Sequence, residues 1–509
     1  MAATVRRHWL FSVLLAAGLV MRVLAQVAYH PALIYVDTLK YLYGASPGSE
    51  PLGYTAILRV ILTVGNLATV AGIQHLLGLA MAVVLYAVLL RRGVPRWLAA
   101  LAAAPVLLDA YQLQMEQMIM PDVWFEALVV AGLAVLLWHP RVSLPIAVAG
   151  GVIFAVAATV MQLGEVLVVP AVIFTLSAGF QTGGGWRHAL SRSAALAVAF
   201  GLVILGYCGL SYLHNGRFYV ANRQSVSGRL AAAADCATLS LPANVRPLCP
   251  TPAQQANGPD WLEHSGSSPL HADHHGHLIR QLSSAVLGQQ FPQVVASIAR
   301  DSLRLFALTR DPVQSLTPIS RWQFQTSYPT YPPWTEVCPG QLSAKACLAQ
   351  QQAIQQRVAP VSDTLLRPDG TIVVGVQKHA FGKFQASKLR LAYGRDAQVN
   401  RPIAAFLRGY QLHGGYTPGP LLALFCLTGL AGSLLLLSRR LDGRTRQLAL
   451  GCLLFTATAA AVLLPPDIYE YSWRYELPAV VTLVPAGVLG IWALVTMRNA
   501  LKMPRGAGA

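Results

Sequence analysis

Charge is what this chain has least of. Asp, Glu, Lys and Arg make up 12% of its 509 residues, against roughly 25% in a soluble domain. With 54% hydrophobic residues and a mean hydropathy of +0.48, that scarcity excludes an ordinary soluble enzyme and points to an integral membrane protein. Acids are scarcer than bases, 21 against 38, which leaves a formal net charge of +17. In a soluble protein such an excess suggests nucleic acid. In a membrane protein it marks Lys and Arg that flank spans and meet anionic headgroups, so no nucleic-acid partner is expected. No Walker or dinucleotide glycine motif is present. Gly183-Gly184-Gly185 runs into Trp186-Arg187 and reads as a turn. No internal repeat is visible, which argues against a secondary transporter built from two related halves.

What is there is a series of apolar runs near the length that crosses hydrocarbon. Ten spans are expected, at roughly 9–27, 70–90, 98–115, 121–138, 144–161, 164–180, 192–213, 418–437, 447–464 and 477–496. The N-terminus imitates a signal peptide, with Arg6-Arg7 before an apolar core. The run from Trp9 to Val27 is long for that, and reads as a retained first span. Arg6 and Arg7, Arg91, Arg92 and Arg96, Arg141, Arg187 and Arg192 then fall on one side. Arg439, Arg440, Arg444, Arg446, Arg498, Lys502 and Arg505 fall there too. This pattern predicts a multi-pass plasma-membrane protein with both termini cytoplasmic. The expected fold is all-α and polytopic, in three parts: a seven-span module at 1–213, an extracytoplasmic mixed insertion at 214–417 and a three-span module at 418–509.

Four of the seven cysteines, Cys236, Cys249, Cys338 and Cys347, lie in the insertion. Two short-range disulfides, 236–249 and 338–347, are expected in an oxidising compartment. The cluster His271-Ala272-Asp273-His274-His275-Gly276-His277 tempts a metal assignment, but a solvated loop fits better. Trp322, Tyr328, Tyr331 and Trp334 suggest aromatic rings that either stack on sugars or pack a small domain.

The outward face gathers acids. Asp37 follows the first span in Tyr35-Val36-Asp37-Thr38, and the next outward bend reads Glu116-Gln117-Met118-Ile119-Met120-Pro121-Asp122. Pro121 suits the first turn of a helix, and Asp122 suits the positive helix start, which is equally its plain structural reading. Glu126, one turn deeper, should face the protein interior with a partner. The last outward loop carries Arg474, its one basic residue, opposite the side where the span-flanking arginines gather. It can fork donors onto a phosphate, or sit in an aromatic belt paired to Glu470 or Glu476.

Taken together these residues resemble the GT-C class of lipid-carrier-dependent glycosyltransferases, which includes protein O-mannosyltransferases, aminoarabinose transferases and arabinosyltransferases. The resemblance is carried by Asp37 with Pro51-Leu52-Gly53-Tyr54 and by Gln74 with the later Arg91-Arg92. It continues through Glu116 to Asp122, Arg217-Phe218 and Arg474-Tyr475-Glu476-Leu477-Pro478. It implies a polyprenyl-phosphate-linked sugar as donor and a glycan, glycolipid or protein acceptor, with Asp37 as catalytic general base. It implies that Arg474, with Tyr475 beside it, holds the donor phosphate. Glu116 and Asp122 would orient the acceptor or join Asp37 around a divalent cation. Many relatives carry a second acid directly after the first. Here Thr38 stands in that place, so no cofactor is required and a divalent cation is an optional addition. The alternatives are a lipid or sugar transporter or flippase, and a non-catalytic envelope assembly protein.

Overall fold

The computed structural model describes residues 6–43, 50–181, 185–221, 225–273, 276–310, 319–327, 364–366, 372–374, 398–438 and 441–502. The Cys338–Cys347 pair, His274, His275, Tyr328, Tyr331, Trp334, Gly183, Gly184, Arg439, Arg440 and Arg505 lie outside those residues. The chain is overwhelmingly helical. Its main elements are α1 (Trp9–Ala28), α2 (Val36–Tyr43), α3 (Leu52–Val64), α4 (Leu67–Arg91), α5 (Arg96–Leu108), α6 (Ala110–Gln117) and α7 (Asp122–Leu137). They continue as α8 (Leu144–Val160), α9 (Val168–Gln181), α10 (Gly185–Asn215), α11 (His277–Leu303) and α12 (Arg401–Leu412). The last three are α13 (Gly419–Leu434), α14 (Gly443–Tyr469) and α15 (Ala479–Lys502).

Among the described residues, seven helices are long and apolar enough to cross a membrane. They are α1, α4, α9 with its leading 3₁₀ turn from Gln162, α10, α13, α14 and α15. The chain is therefore a multi-pass membrane protein, and the count differs from ten for local reasons. The span expected at 98–115 is bent by 49° between α5 and α6. Asp109 causes the break. It leaves helical geometry and turns its carboxylate back to accept from Tyr111 N at 3.0 Å, capping α6. Its other oxygen accepts from Thr417 N at 2.7 Å. Counting the bent pair as one span gives eight. α7 and α8, expected as spans, are 16 and 17 residues long, short of the roughly 20 a perpendicular crossing takes. α3 is an apolar helix inside what the charge pattern assigns to the first outward loop.

α15 packs against α13 and α14, and α8 packs against α7 and α10. One continuous core runs through the bundle. A second, smaller core, including Leu230, Leu262, Leu282 and Val286, belongs to the insertion. The expected Cys236–Cys249 disulfide closes a loop beside it. The insertion is stitched to the bundle at its far end. Tyr29–His30 pairs antiparallel with Gln398–Val399, Tyr29 opposite Val399, and α12 packs on α1. A second small antiparallel pair joins Thr364–Leu366 to Ile372–Val374.

Candidate active site

The segment after α1 and the bend before α7 are tied together strand-fashion. Leu33 N donates to Gln117 O at 2.9 Å, and Ile119 N donates to Leu33 O at 3.0 Å. Thr38 completes the tie. Its hydroxyl donates to Ile119 O at 2.9 Å and accepts from Tyr35 N at 3.0 Å, and the residue is fully buried. Thr38 thus fastens Asp37's helix to Asp122's bend. A hydroxyl is the right group for that task, because it can donate and accept at once.

Into this frame the last loop inserts Arg474. Its Nε and Nη2 donate to the two oxygens of Asp122 at 2.8 and 2.9 Å, a bidentate fork, and its Nη1 donates to Asp37 Oδ2 at 3.2 Å. The three residues come from segments separated by 352 and 437 positions. Burial opposes the charge on Arg474, but the Asp122 and Asp37 carboxylates outweigh it and hold the guanidinium charged, above its usual range. The members differ in access: Asp37's side chain is 20% exposed, Asp122's 7% and Arg474's 6%. Of the three, Asp37 is the most open to solvent.

Aromatic rings surround the cluster. Arg474 Cζ lies 5.5 Å from the ring centre of Tyr475 and 5.6 Å from that of Trp322, and Trp322 packs 4.7 Å from Tyr35. Burial, with Asp37 adding to it, raises the Tyr35 phenol above its ordinary range, and burial does the same for Tyr41 and Tyr475. All three remain protonated. Trp322 is buried here and packs against Tyr35 and Arg474 as a wall of the Asp37 cluster. Its Nε1 has no hydrogen-bond partner among the described residues. Gly53, in the Pro51-Leu52-Gly53-Tyr54 motif, is a close-approach residue. A Cβ there would meet Thr159 O at 2.4 Å.

The structure does not bring Glu116 to this cluster. Fully buried, it accepts from Arg22 Nη2 at 2.7 Å through Oε1, and its Oε2 lies 3.0 Å from His75 Nδ1. Gln74 donates to Glu116 O and Met118 O and accepts from Tyr54 OH. Glu126 is buried as expected, but neither of its oxygens has a hydrogen-bond partner among the described residues. Arg474 takes Asp122 and Asp37 as its close partners, where the belt reading offered Glu470 or Glu476.

Sequence reasoning missed Arg22 and His75, although an arginine inside the first apolar run demands a partner. It also missed Arg310, whose guanidinium carbon lies 4.1, 4.8 and 5.2 Å from the ring centres of Tyr111, Tyr416 and Trp473. Among the described residues no group of three or more His, Cys, Asp or Glu could hold a metal ion.

No family model and no curated protein matches the chain. Among solved structures it is similar to the archaeal oligosaccharyltransferase AglB from Archaeoglobus fulgidus, in complex with an inhibitory peptide and a dolichol-phosphate. That likeness has 12% identity and a TM-score of 0.42, over 99% of this chain and 53% of that one. An apo-form oligosaccharyltransferase from Archaeoglobus fulgidus shows 13% identity and a TM-score of 0.40, over 99% and 52%. ArnT from Cupriavidus metallidurans in the apo state shows 14% and 0.32, over 99% and 82%. The chain spans about half the length of the oligosaccharyltransferases it resembles.

Proposed function

We propose that this chain is a membrane glycosyltransferase of the GT-C class. It takes a sugar from a polyprenyl-phosphate donor and transfers it to an acceptor hydroxyl on the extracytoplasmic side, both termini being cytoplasmic. The observation that carries the reading is the Asp122–Arg474–Asp37 bridge, assembled from the proposed 1–213 and 418–509 modules with Asp37 on its open side. A bridge serving structure alone gains nothing from leaving one carboxylate accessible.

In the proposed reaction the acceptor oxygen attacks the anomeric carbon as its proton passes to Asp37. The bond from that carbon to the phosphate oxygen breaks, and the phosphate leaves with the electron pair. The phosphate is a good leaving group, so little acid assistance is needed. The pairing supplies a further effect. As Asp37 takes the proton it loses its charge, and Arg474 loses one of its two charged partners just as the phosphate gains charge. Arginine carries five N–H donors and three are committed here. The remaining two, with the Tyr475 phenol, are the groups we assign to the phosphate. Asp122 holds Arg474 in plane through both its oxygens.

A divalent cation does not suit this donor set as it stands, because a guanidinium occupies the space between the two acids. No step is routed through one, and a chelator is the direct check.

The test is transfer of a labelled sugar from polyprenyl-phosphate to acceptor in proteoliposomes containing the full chain. Asp37→Asn should lower turnover by about 10²–10⁴-fold, the span of general-base contributions, with the protein still folded. Near wild-type turnover in that variant would sink the assignment.

A further inference from the structure

The far end of α7 from Asp122 holds a second polar site, on the arginine-rich face of the bundle. Sixteen helical residues put the two roughly 24 Å apart, so this site stands independently of the proposed reaction. Three segments meet there: the 138–143 turn between α7 and α8, the end of α9 and the start of α14. They border an open cavity of about 1140 Å³ that includes His139, Arg141, Phe180, Gln181, Arg446 and Gln447 in its lining.

We infer that this cavity binds the phosphate headgroup of an anionic membrane phospholipid. Among the described residues no acidic side chain lines it, and the neighbouring Asp442 is engaged in capping α14 through Thr445 N. Its cationic wall is built in advance. Arg446 donates to Gln181 O at 3.2 Å and to Leu441 O at 3.3 Å, and its buried Nε has no partner among the described residues. Gln447 is held from both sides: it donates to Pro140 O at 3.0 Å and accepts from Arg92. Arg92 also donates to Leu137 O and His139 O, which fixes the turn. Arg141 is exposed and unencumbered by an ion pair among the described residues, so it is free to close on a phosphate. α8 starts nearby, and Ser143 makes no side-chain cap there.

A phosphate ester is the chemistry these donors recognise, whether it comes from a lipid or from solution. The site commits to a lipid because its other wall is apolar. Exposed Phe180 and half-buried Ile146 stand beside the cations, at the ends of the apolar helices α9 and α8. A headgroup would sit on the arginines and its acyl chains would run along Phe180. Basic pockets between transmembrane helices are a recurring form of headgroup site.

The test compares the purified full chain in nanodiscs of phosphatidylglycerol or phosphatidylcholine, with retained lipid counted by native mass spectrometry. Wild type should retain phosphatidylglycerol preferentially, and Arg141→Gln with Arg446→Gln should weaken that retention by roughly tenfold or more. Arg141→Gln alone, at an exposed position, keeps the proposal testable if the double variant fails to fold, and should weaken retention by several-fold. Arg187→Gln, on the same face outside the cavity, should change it little. Equal retention of phosphatidylcholine would overturn the site. So would unchanged retention in the Arg141 variants, or an equal loss in Arg187→Gln. Displacement of the lipid by inorganic phosphate would show a site for free phosphate and overturn the lipid assignment.

Discussion

Arg22 and Arg474 each hold a carboxylate inside the bundle, but what else can reach that carboxylate differs. Arg22 closes on Glu116, which is fully buried and flanked by His75 and Gln112. It also donates to Gly18 O, Val106 O and Leu107 O. These bonds tie α1 to α5 and α6, and nothing in the arrangement opens outward. Arg474 spans two acids, and one of them, Asp37, keeps a fifth of its side-chain surface exposed. In the proposed reading the same pair of residue types therefore does two jobs. A closed pair fixes helices against one another, at a desolvation cost that its extra hydrogen bonds offset. An open pair holds a carboxylate where it can exchange a proton with something that arrives.

Substitutions on the two sides should separate cleanly. After the loss of turnover in Asp37→Asn, the next largest effect should come from Arg474→Ala. It leaves two carboxylates facing each other and should cost on the order of 10²–10³ in turnover, as loss of a transition-state donor does. An equal fall in folded yield would make Arg474 a structural residue like Arg22. Glu116→Gln should behave oppositely, destabilising the protein by about 3–5 kcal/mol through the uncompensated Arg22 charge. Whatever folds should retain near wild-type turnover; a large turnover defect in folded Glu116→Gln would bring Glu116 back into the reaction. Gly78→Ala sharpens this further, since a Cβ there would lie 2.0 Å from Glu116 Oε1. Its effect should be on thermal stability alone.

The smallest effect concerns Glu476, in the same loop as Arg474. Burial, with Asp467 adding and Arg310 opposing, raises its carboxyl well above the ordinary range. The folded protein then binds a proton that the unfolded chain has released, so stability falls as pH rises above the ordinary glutamate range. Glu476→Gln should raise the melting temperature at neutral and alkaline pH, with the gain shrinking toward pH 4. A gain that does not depend on pH would show that the carboxyl is already ionised when folded.

Asp37, Asp122 and Arg474 were legible as candidates because each breaks a local rule. Two are acids just outside apolar runs, and one is an arginine on the wrong face of the charge pattern. Arg474's partners were not legible, since Glu470 and Glu476 are near in sequence and Asp122 is 352 positions away. Glu116 looked equivalent to Asp122, six residues along the same bend. Only the placement of α1 and α4 showed that Arg22 and His75 take it. Thr38 read as a missing acid, and its role as a tie to Ile119 appears only when the two segments lie side by side.

Composition and hydrophobic run length by themselves determined that this chain is a helical, multi-pass membrane protein. The free energy of placing a residue in hydrocarbon is local and additive enough to be read one segment at a time. The positions of Pro, Asp and Arg at the ends of those runs marked which residues stand near a membrane surface. Tertiary structure alone decided which arginine meets which acid, which carboxylate stays open, and that α5 and α6 bend at Asp109. Those outcomes depend on groups meeting within about 3 Å, and packing of distant helices sets that distance.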